Sequence, residues 1–537
     1  MANIKRSERW GKGQLFAFSA FDGKTDFKNG LVLRSVNGAC ALELKKPSSG
    51  GILLIDQNEP ASCSISGDYF EMNTAQGLTR GVMPDAYHLL LEGPCRFLGL
   101  APEYYTEHKN NLTLIGVKAF FKREWLDADI DSLKAERNQW FETLTPPADR
   151  NEISGALFKA FSQLKTQLNS PEGNIKHLWT TPNRWPHQKM WLWDSVFHAL
   201  GMRHIDPITS RESLAAVFDV QEDSGFIPHE ANPNGKSDVT QPPVLAYGMK
   251  KIHELSPDID FIREYFPKNA AFLKWIMANR DRDGAGLMEW WVVEHENCRC
   301  GESGMDNSPR FDNVLLLDAT DFNAFLSREC RIMAEFAAML ELKNEEDFWL
   351  TRHHHLNQLI NEYMWSEKDK FYVDYDPVNK RQSPMLASSG FLPLICGAPS
   401  PEMAKALVAH LKNENTFYTP LRIPSISKSQ PEFYEKDMWR GPVWININHQ
   451  VIDGLMEYGF IEEANELIAD TVREMEKHYD KYGCFFEFYD DRQELDPPLL
   501  NRKGQCNPDL SPFHQVFMDY GWSATLYIDM IYESSKR

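Results

Sequence analysis

Residues 316–342 read LLDATDFNAFLSRECRIMAEFAAMLEL, and residues 346–364 read EDFWLTRHHHLNQLINEYM. Apolar side chains recur every three or four positions in both stretches, which predicts two amphipathic helices. The residues between them, near Lys343, are too few for a long connection, so the two helices must run antiparallel and side by side. The stretch therefore predicts a helical hairpin.

The same helical periodicity continues from about residue 148 to the end of the chain. The other apolar stripes lie at about 150–169, 190–204, 208–221, 240–254, 260–279, 386–394, 401–412, 442–458, 461–478 and 512–532. Every second connection is only a few residues long, near Asp206, Ser256, Lys343, Gly397 and Gly459, whereas the others run about fourteen to thirty-five residues. Long loops in compact domains are usually functional. About twelve helices with all long loops at one end predict a mainly α fold, an (α/α)6 barrel of six helical hairpins with a pocket-bearing face. An α-solenoid would show a repeating sequence motif, and none is found.

The first part of the chain has a different pattern. Short stretches rich in β-forming residues, such as residues 30–36, 39–44, 51–55 and 112–121, are separated by Gly, Asn and Pro. This predicts a β-sandwich domain over residues 1–140, ahead of a catalytic barrel domain over residues 148–537.

Composition excludes several classes of function. The chain has 537 residues, 42% of them apolar, and a formal net charge of −20, which disfavours nucleic acid as a partner. No stretch is long and apolar enough for a membrane span, and the first residues lack the apolar run of a signal peptide. Nine cysteines without framework spacing are typical of a reducing compartment, so we expect a cytoplasmic protein. The oligomeric state is left open.

Two of the long loops carry the carboxylates that chemistry would need. Residues 302–312 read ESGMDNSPRFD, and we expect the three carboxylates, Glu302, Asp306 and Asp312, to raise one another's pKa. Residues 483–490 read GCFFEFYD and place Glu487 among aromatic side chains, an environment costly for a carboxylate without a function. Glycoside hydrolysis needs two carboxylates on either side of the scissile bond. Two acid-bearing loops at one end of a barrel can supply them.

Tryptophans in loops and at helix starts predict a carbohydrate site, since aromatic faces stack on the C–H faces of sugar rings. Fifteen tryptophans are present, and Trp193, Trp439 and Trp444 are prominent among those outside helix interiors. Taken singly, each could instead be a core anchor. Asp194, next to Trp193, could likewise do no more than cap the helix that it opens.

A metal site is not predicted. His295, Cys298 and Cys300 are close in sequence, but their spacing matches no standard zinc pattern and no second Cys/His pair is nearby. We therefore expect neither a metal nor another cofactor in the site.

These motifs also resemble those of glycoside hydrolase family 63, and more distantly the trehalases of family 37. The resemblance covers about residues 180–530 and rests on the strings Trp193-Asp194, 302–310 (ESGMDNSPR), 439–444 (WRGPVW), Glu487 and 520–522 (YGW). It implies an inverting enzyme that removes terminal α-linked sugars, mostly glucose, without a catalytic metal. It also implies that Asp306 is the general acid and Glu487 the general base.

The resemblance further implies a set of substrate-binding residues. The sugar-holding positions fall on Trp193, Asp194, Gln241, Trp439 and Trp444, and we add Arg310, Arg440 and Trp522 from the same motifs. Met305 departs from the family pattern, in which an aromatic residue often precedes the acid, so the pocket shape and the identity of the sugar are left open.

The function predicted from the sequence is thus an inverting exo-glycoside hydrolase that releases a terminal α-linked sugar, glucose by expectation, from a disaccharide, short oligosaccharide or small glycoside. One alternative on the same scaffold is a phosphorylase, lyase or isomerase. A phosphorylase needs a basic phosphate pocket, for which Arg310 and Arg440 are the candidates. The other alternative is a non-catalytic carbohydrate-binding protein, which would not need Asp306 or Glu487.

Overall fold

A computed structural model describes residues 3–295 and 297–536. Its first part contains two antiparallel sheets. The five-stranded sheet consists of Leu15–Ala17, Val32–Ser35, Cys40–Lys46, Ile52–Asp56 and Arg96–Leu98. The six-stranded sheet consists of Ser62–Ile65, Tyr69–Thr74, Gly77–Asp85, His88–Glu92, Tyr104–Lys109 and Leu112–Val117.

The two sheets share one apolar core. Leu33, Leu42 and Leu53 from the first sheet are buried in the same cluster as Phe70 and Leu89 from the second. Successive strand residues point to opposite faces, so alternate apolar positions on each sheet can meet in the layer between them. The first part of the chain thus contains strands, as its sequence predicted.

The far side of the six-stranded sheet is covered by a helix that the sequence pattern missed. Helix α1, Ile130–Asn138, buries Ile130 and Leu133 against Val82 and Leu90. Its N-terminus is capped by Asp129, whose carboxylate accepts the backbone N–H of Ser132 at 3.0 Å. The expectation of strands up to about residue 140 is therefore wrong after Val117, because this segment packs as a helix on a sheet face that would otherwise be exposed.

The rest of the chain is helical. The helices are α2 Gly155–Gln167, α3 Leu192–Met202, α4 Pro207–Asp219, α5 Leu245–Leu255, α6 Ile259–Asn279, α7 Thr320–Met339, α8 Lys343–Leu359, α9 Pro401–Leu411, α10 Ile445–Glu457, α11 Ile461–Tyr482 and α12 Gly521–Ser534. A 3₁₀ helix, Ser388–Cys396, occupies the position of the predicted helix at 386–394. Pro393 within it cannot donate a backbone hydrogen bond, which favours a short, irregular helix there.

Short strand pairs decorate the loops. They are Asn3–Ile4 with Glu152–Ile153, Leu168–Asn169 with Trp179–Thr180, Met190–Trp191 with Glu230–Asn232 and Gly235–Lys236, Trp365–Ser366 with Phe371–Tyr372, and Tyr375–Asp376 with Arg381–Gln382.

Helix contacts follow a cyclic order. Helix α3 contacts α5, α5 contacts α7, and α7 contacts the 3₁₀ helix, which contacts α10; α10 contacts α12, and α12 contacts α3 again. Helices joined by short connections, such as α3 with α4, α7 with α8 and α10 with α11, also pack together. The long connections that precede α3, α5, α7, α10 and α12 consequently converge on one end of this helical part. Among the described residues, no helix combines the length and the apolar character needed to cross a membrane.

Candidate active site

One cavity lies where these long connections converge. Eight of the ten residues predicted for the site line it: Trp193, Asp194, Gln241, Asp306, Trp439, Trp444, Glu487 and Trp522. They come from segments that are far apart in sequence, and several of these segments lead directly into the N-terminus of a helix. Helix N-termini carry partial positive charge, so the helix starts at this end favour acidic side chains and polar ligands.

The loop that carries Asp306 is held in place by its neighbours in the string at 302–310. Glu302 is an ion-pair partner of Arg280, with Oε1 2.6 Å from Nη2, and it also accepts the backbone N–H of Trp291 at 2.8 Å. Asn307 accepts the backbone N–H of Trp439 at 3.0 Å and so ties this loop to the segment before α10. Asp306 itself is partly exposed. The string thus fixes the backbone while leaving one carboxyl group accessible.

Gly304 is required by the close approach of Trp193. Its φ is +71°, and a Cβ atom built on it would lie 2.3 Å from Cζ2 of the Trp193 indole. A larger residue would therefore push the indole out of the cavity wall or distort the loop two residues before Asp306.

In the structure, two of the three carboxylates of this loop have a basic partner. Glu302 is neutralised by Arg280, and Asp312 is paired with Arg440. Both partners lie outside residues 302–312, Arg280 at the end of α6 and Arg440 in the connection before α10, so the sequence of this string alone could not show them. Asp306 is left as the carboxyl group of this loop that lines the cavity.

Glu487 lies in the connection between α11 and α12, and it is 2% exposed. Its carboxylate accepts two hydrogen bonds from Arg502, from Nε at 2.8 Å and from Nη2 at 3.1 Å. Its backbone N–H donates to the carbonyl of Phe517 at 3.0 Å, and its carbonyl accepts the indole N–H of Trp522 at 3.3 Å. Both the carboxylate and the backbone of Glu487 are therefore held by the wall of the cavity.

Asp194 is the third carboxyl group of the cavity. It lies in the first turn of α3, a helix whose start has no side-chain cap, and the Tyr520 hydroxyl donates to Asp194 Oδ1 at 3.4 Å. Burial, and then the charge of Glu487, raise the pKa of Asp194 well above its usual range. Asp194 thus lines the cavity and does not act as the cap of the helix that it opens.

Aromatic rings form much of the wall. The rings of Trp439 and Trp444 are stacked with centroids 3.9 Å apart and planes 4° apart, and Trp193 meets Trp522 edge to face at 5.5 Å. Among the described residues, the indole N–H of Trp439 is buried without a hydrogen-bond partner, and so is that of Trp191. Buried donors are normally paired, so these two are available to a polar ligand.

Two predicted residues lie elsewhere. The guanidinium of Arg310 is fully buried and hydrogen-bonded to Asp321, at 2.9 Å from both Nη1 and Nη2, and to Asp374 at 2.7 and 2.8 Å. Arg440 pairs with Asp312 in a separate surface depression. Neither lines the cavity, because each is neutralised by acidic residues of other loops. Their predicted contact with substrate is corrected accordingly.

Several residues that were not predicted for the site also line the cavity: His187, Trp191, Met438, Arg502 and Tyr520. Of these, Tyr520 belongs to the string at 520–522 quoted above. Burial, followed by the nearby charge of Arg502, lowers the pKa of His187 well below its usual range, and its ring stacks on Trp191 at 4.4 Å. The positions of Arg502 and His187 in long loops were a signal, although loop position alone does not single out a residue. Met305, the departure from the family pattern, does not line the cavity, since its sulfur contacts Nη1 of Arg310 at 3.3 Å.

The chain is similar to known glycoside hydrolases. The family model described as a mannosylglycerate hydrolase MGH1-like glycoside hydrolase domain matches residues 186–523. A mannosylglycerate hydrolase of Thermus thermophilus is 28% identical over 402 residues, covering 59% of this chain and 92% of the relative. The crystal structure of a GH63 mannosylglycerate hydrolase from Thermus thermophilus in complex with glucose has a TM-score of 0.56 and 27% identity, over 69% of this chain and 98% of that one.

The likeness in fold extends to the N-terminal sheets. A bacterial glucoamylase solved with acarbose superposes with a TM-score of 0.58 over 100% of this chain and 99% of its own, at 11% identity. At that identity the match shows the shared fold alone.

Proposed function

We propose that this chain, which belongs to the MGH1-like family of glycoside hydrolases, is an inverting exo-α-glycosidase that removes one terminal hexose from a small α-glycoside. The chain is a glycoside hydrolase by family; the stereochemistry, the sugar and the residue roles are the proposal. The observation that carries it is the presence of Asp306 and Glu487 in one tryptophan-lined cavity.

The two carboxyl groups suit different roles. Asp306 is partly exposed at the cavity, so its carboxyl group can reach the leaving oxygen of a bound glycoside. Glu487 is buried, and two hydrogen bonds from Arg502 hold its carboxylate in the cavity wall. A charged carboxylate is the form that activates water as a general base. An inverting site must fit that water, which requires a carboxyl separation of about 6.5–9.5 Å in the substrate complex.

The remaining cavity residues are proposed to hold the sugar. Asp194 and the unpaired indole N–H groups of Trp191 and Trp439 can bind its hydroxyl groups. The Oε1 of Gln241 already accepts the backbone N–H of Trp193 at 3.1 Å, which leaves its amide nitrogen as a donor. A small cavity walled by buried side chains takes a chain end rather than the middle of a polymer.

The architecture is part of the same proposal. The cyclic helix contacts support a closed (α/α)6 barrel over residues 148–537, with Ser388–Cys396 as one of its inner helices. The two facing sheets support a β-sandwich domain over residues 1–140.

The relatives reduce the set of candidate substrates. The Thermus thermophilus relative is a mannosylglycerate hydrolase, so a hexosylglycerate heads our set of small glycosides. The test is incubation of the purified protein with α-mannosylglycerate, α-glucosylglycerate and a panel of α-glucose disaccharides, followed by proton NMR at early times. We expect β-anomer as the first product, with Glu487→Gln as the inactive control.

Three outcomes would contradict the proposal. Release of the α-anomer first would mean a retaining reaction. Turnover that requires inorganic phosphate would make the protein a phosphorylase. Binding of these sugars without any cleavage would leave a carbohydrate-binding protein.

A further inference from the structure

A second group of buried acidic residues lies outside the cavity. The loop at 281–289 reads DRDGAGLME and follows α6, and Asp318 precedes α7. Carboxylate oxygens of Asp283, Glu289 and Asp318 all lie within 4.8 Å of one another. Glu289 is 0% and Asp318 1% exposed, whereas Asp283 faces solvent. Two buried carboxylates and a third at the surface thus share one small space.

The carboxylates of this cluster outnumber the cations beside them in the described part of the chain. The nearest positive group is Arg282, with Nε 3.7 Å from Oε2 of Glu289, and its guanidinium turns towards Trp290 and Trp291. Asp281 adds a further negative charge, although its Oδ1 accepts the backbone N–H of Gly286 at 3.1 Å. The local charge is therefore strongly negative.

An unpaired buried oxygen is the second, independent observation. Oδ1 of Asp318 is buried and has no hydrogen-bond partner among the described residues. Native proteins rarely leave such an atom unsatisfied, and a bound ion is a common reason when they do.

Backbone pairing and hydrogen bonds to the backbone arrange this cluster. Glu289 and Asp318 face each other in a β-bridge, and Asp318 pairs in the same way with Tyr375. The loop turns back at Gly284 and Gly286, whose φ values of +77° and +90° favour glycine. Glu289 accepts the backbone N–H groups of the residues at 282 and 283, at 2.9 and 3.3 Å. The carboxylates are thereby brought together although they repel one another.

We infer that Asp283, Glu289 and Asp318 form a binding site for a divalent cation, calcium by its chemistry. Calcium takes several oxygen ligands at about 2.3–2.6 Å, and three carboxylate oxygens within 4.8 Å of one another can contact a single ion of this kind. The absence of His and Cys from the set disfavours zinc. The exposed side at Asp283 gives an entry path and room for water ligands. The ion would join the residues just after α6 to those just before α7. These are the two ends of the connection that carries Asp306.

The test measures calcium binding directly and does not depend on catalysis. The full-length protein is stripped with EGTA, dialysed and titrated with CaCl2 by calorimetry, and its melting temperature is recorded with and without about 1 mM CaCl2. We expect about one calcium per chain and a rise in melting temperature that grows with calcium concentration, as for any ligand of the folded state. Magnesium should bind more weakly, because it demands stricter octahedral geometry.

Three variants distinguish calcium binding by this cluster from a general effect of acidic residues on the protein. Asp283→Asn changes an exposed ligand and should fold normally, yet it should weaken calcium binding by at least about tenfold. Asp318→Asn should abolish the calcium effect while leaving the stripped protein at least as stable as the parent, since it removes a repelled charge. Asp223→Asn, an exposed aspartate outside the cluster, is the control and should behave as the parent. The inference is overturned if the parent shows no binding heat and no shift at about 10 mM CaCl2, or if both ligand variants keep the parent's response.

Discussion

Arg502 donates two hydrogen bonds to the carboxylate of Glu487, from Nε to Oε2 at 2.8 Å and from Nη2 to Oε1 at 3.1 Å. Both side chains are buried, and the guanidinium also lies over the ring of Phe517, 3.9 Å from its centroid. Burial opposes the charge of Arg502, but the Glu487 carboxylate outweighs it and raises the pKa of the guanidinium. The pair orients the carboxylate that we propose as the base.

Replacement of Arg502 should reduce the activity that depends on Glu487 more than it disturbs the fold of the cavity. Arg502→Gln leaves Glu487 without the partner that orients its carboxylate, so kcat/KM should fall at least about 100-fold. The acidic limb of the kcat/KM profile should also move to higher pH. Arg502→Lys keeps the charge but loses the two-point geometry and should fall in between. An unchanged acidic limb in Arg502→Gln would mean that Glu487 is not the base.

The proposed acid and base should differ in their dependence on the leaving group. Asp306→Asn should abolish cleavage of an ordinary α-glycoside but retain far more activity on an aryl glycoside with an acidic phenol, because that leaving group needs no proton. Glu487→Gln should impair both substrates alike, since it acts on water. The measurement is kcat for both substrates in both variants, with a substrate pair that the parent accepts. If both variants keep kcat within about threefold of the parent, the roles are wrongly assigned.

Asp194 should show opposite effects on activity and on stability. Its pKa is raised in the folded protein, chiefly by burial. The folded state therefore binds its proton more tightly than the unfolded state does, and stability falls as the pH rises above the ordinary Asp pKa of about 3.9. Asp194→Asn removes this loss.

We therefore expect the melting temperature of Asp194→Asn at about pH 8 to equal or exceed that of the parent. At the same pH, kcat/KM should fall by about 30-fold or more, equivalent to about 2 kcal/mol, since a hydrogen-bond acceptor for the sugar is lost. Melting curves and kinetics between about pH 4 and pH 9 check both parts. A parallel loss of stability and activity would show a structural role instead.

Arg310 should behave as a structural residue. Its guanidinium is fully buried between Asp321 and Asp374. Arg310→Met leaves two buried carboxylates without a partner and should lower the free energy of unfolding by about 3–5 kcal/mol, measured by urea denaturation. The double variant Arg310→Met with Asp321→Asn should recover part of this loss. If the Arg310→Met variant instead has unchanged stability and a strongly raised KM, Arg310 contacts the substrate and is not a structural residue.

The helical part could be predicted from the sequence because its signals are local. The periodicity that indicated the hairpin at 316–364 reflects side chains three and four positions apart, and α7 and α8 form there. The alternation of connection lengths likewise indicated that Asp306 and Glu487 belong to loops at one end, and one cavity contains both. Helix α1 escaped prediction because its reason to form is the sheet face beneath it.

Which charged residues face the cavity was decided only by the tertiary structure. From the sequence, Arg310 and Arg440 stood beside the catalytic motifs and Arg502 stood in an undistinguished stretch, yet Arg502 lies in the cavity and the other two do not. A buried guanidinium lies where carboxylates compensate its desolvation, and the fold determines which carboxylates these are: Asp321 and Asp374 for Arg310, Glu487 for Arg502. Local pattern determined the helices and the loops that carry the acids, whereas the pairing of buried charges depended on how the loops fold in three dimensions, which no local pattern records.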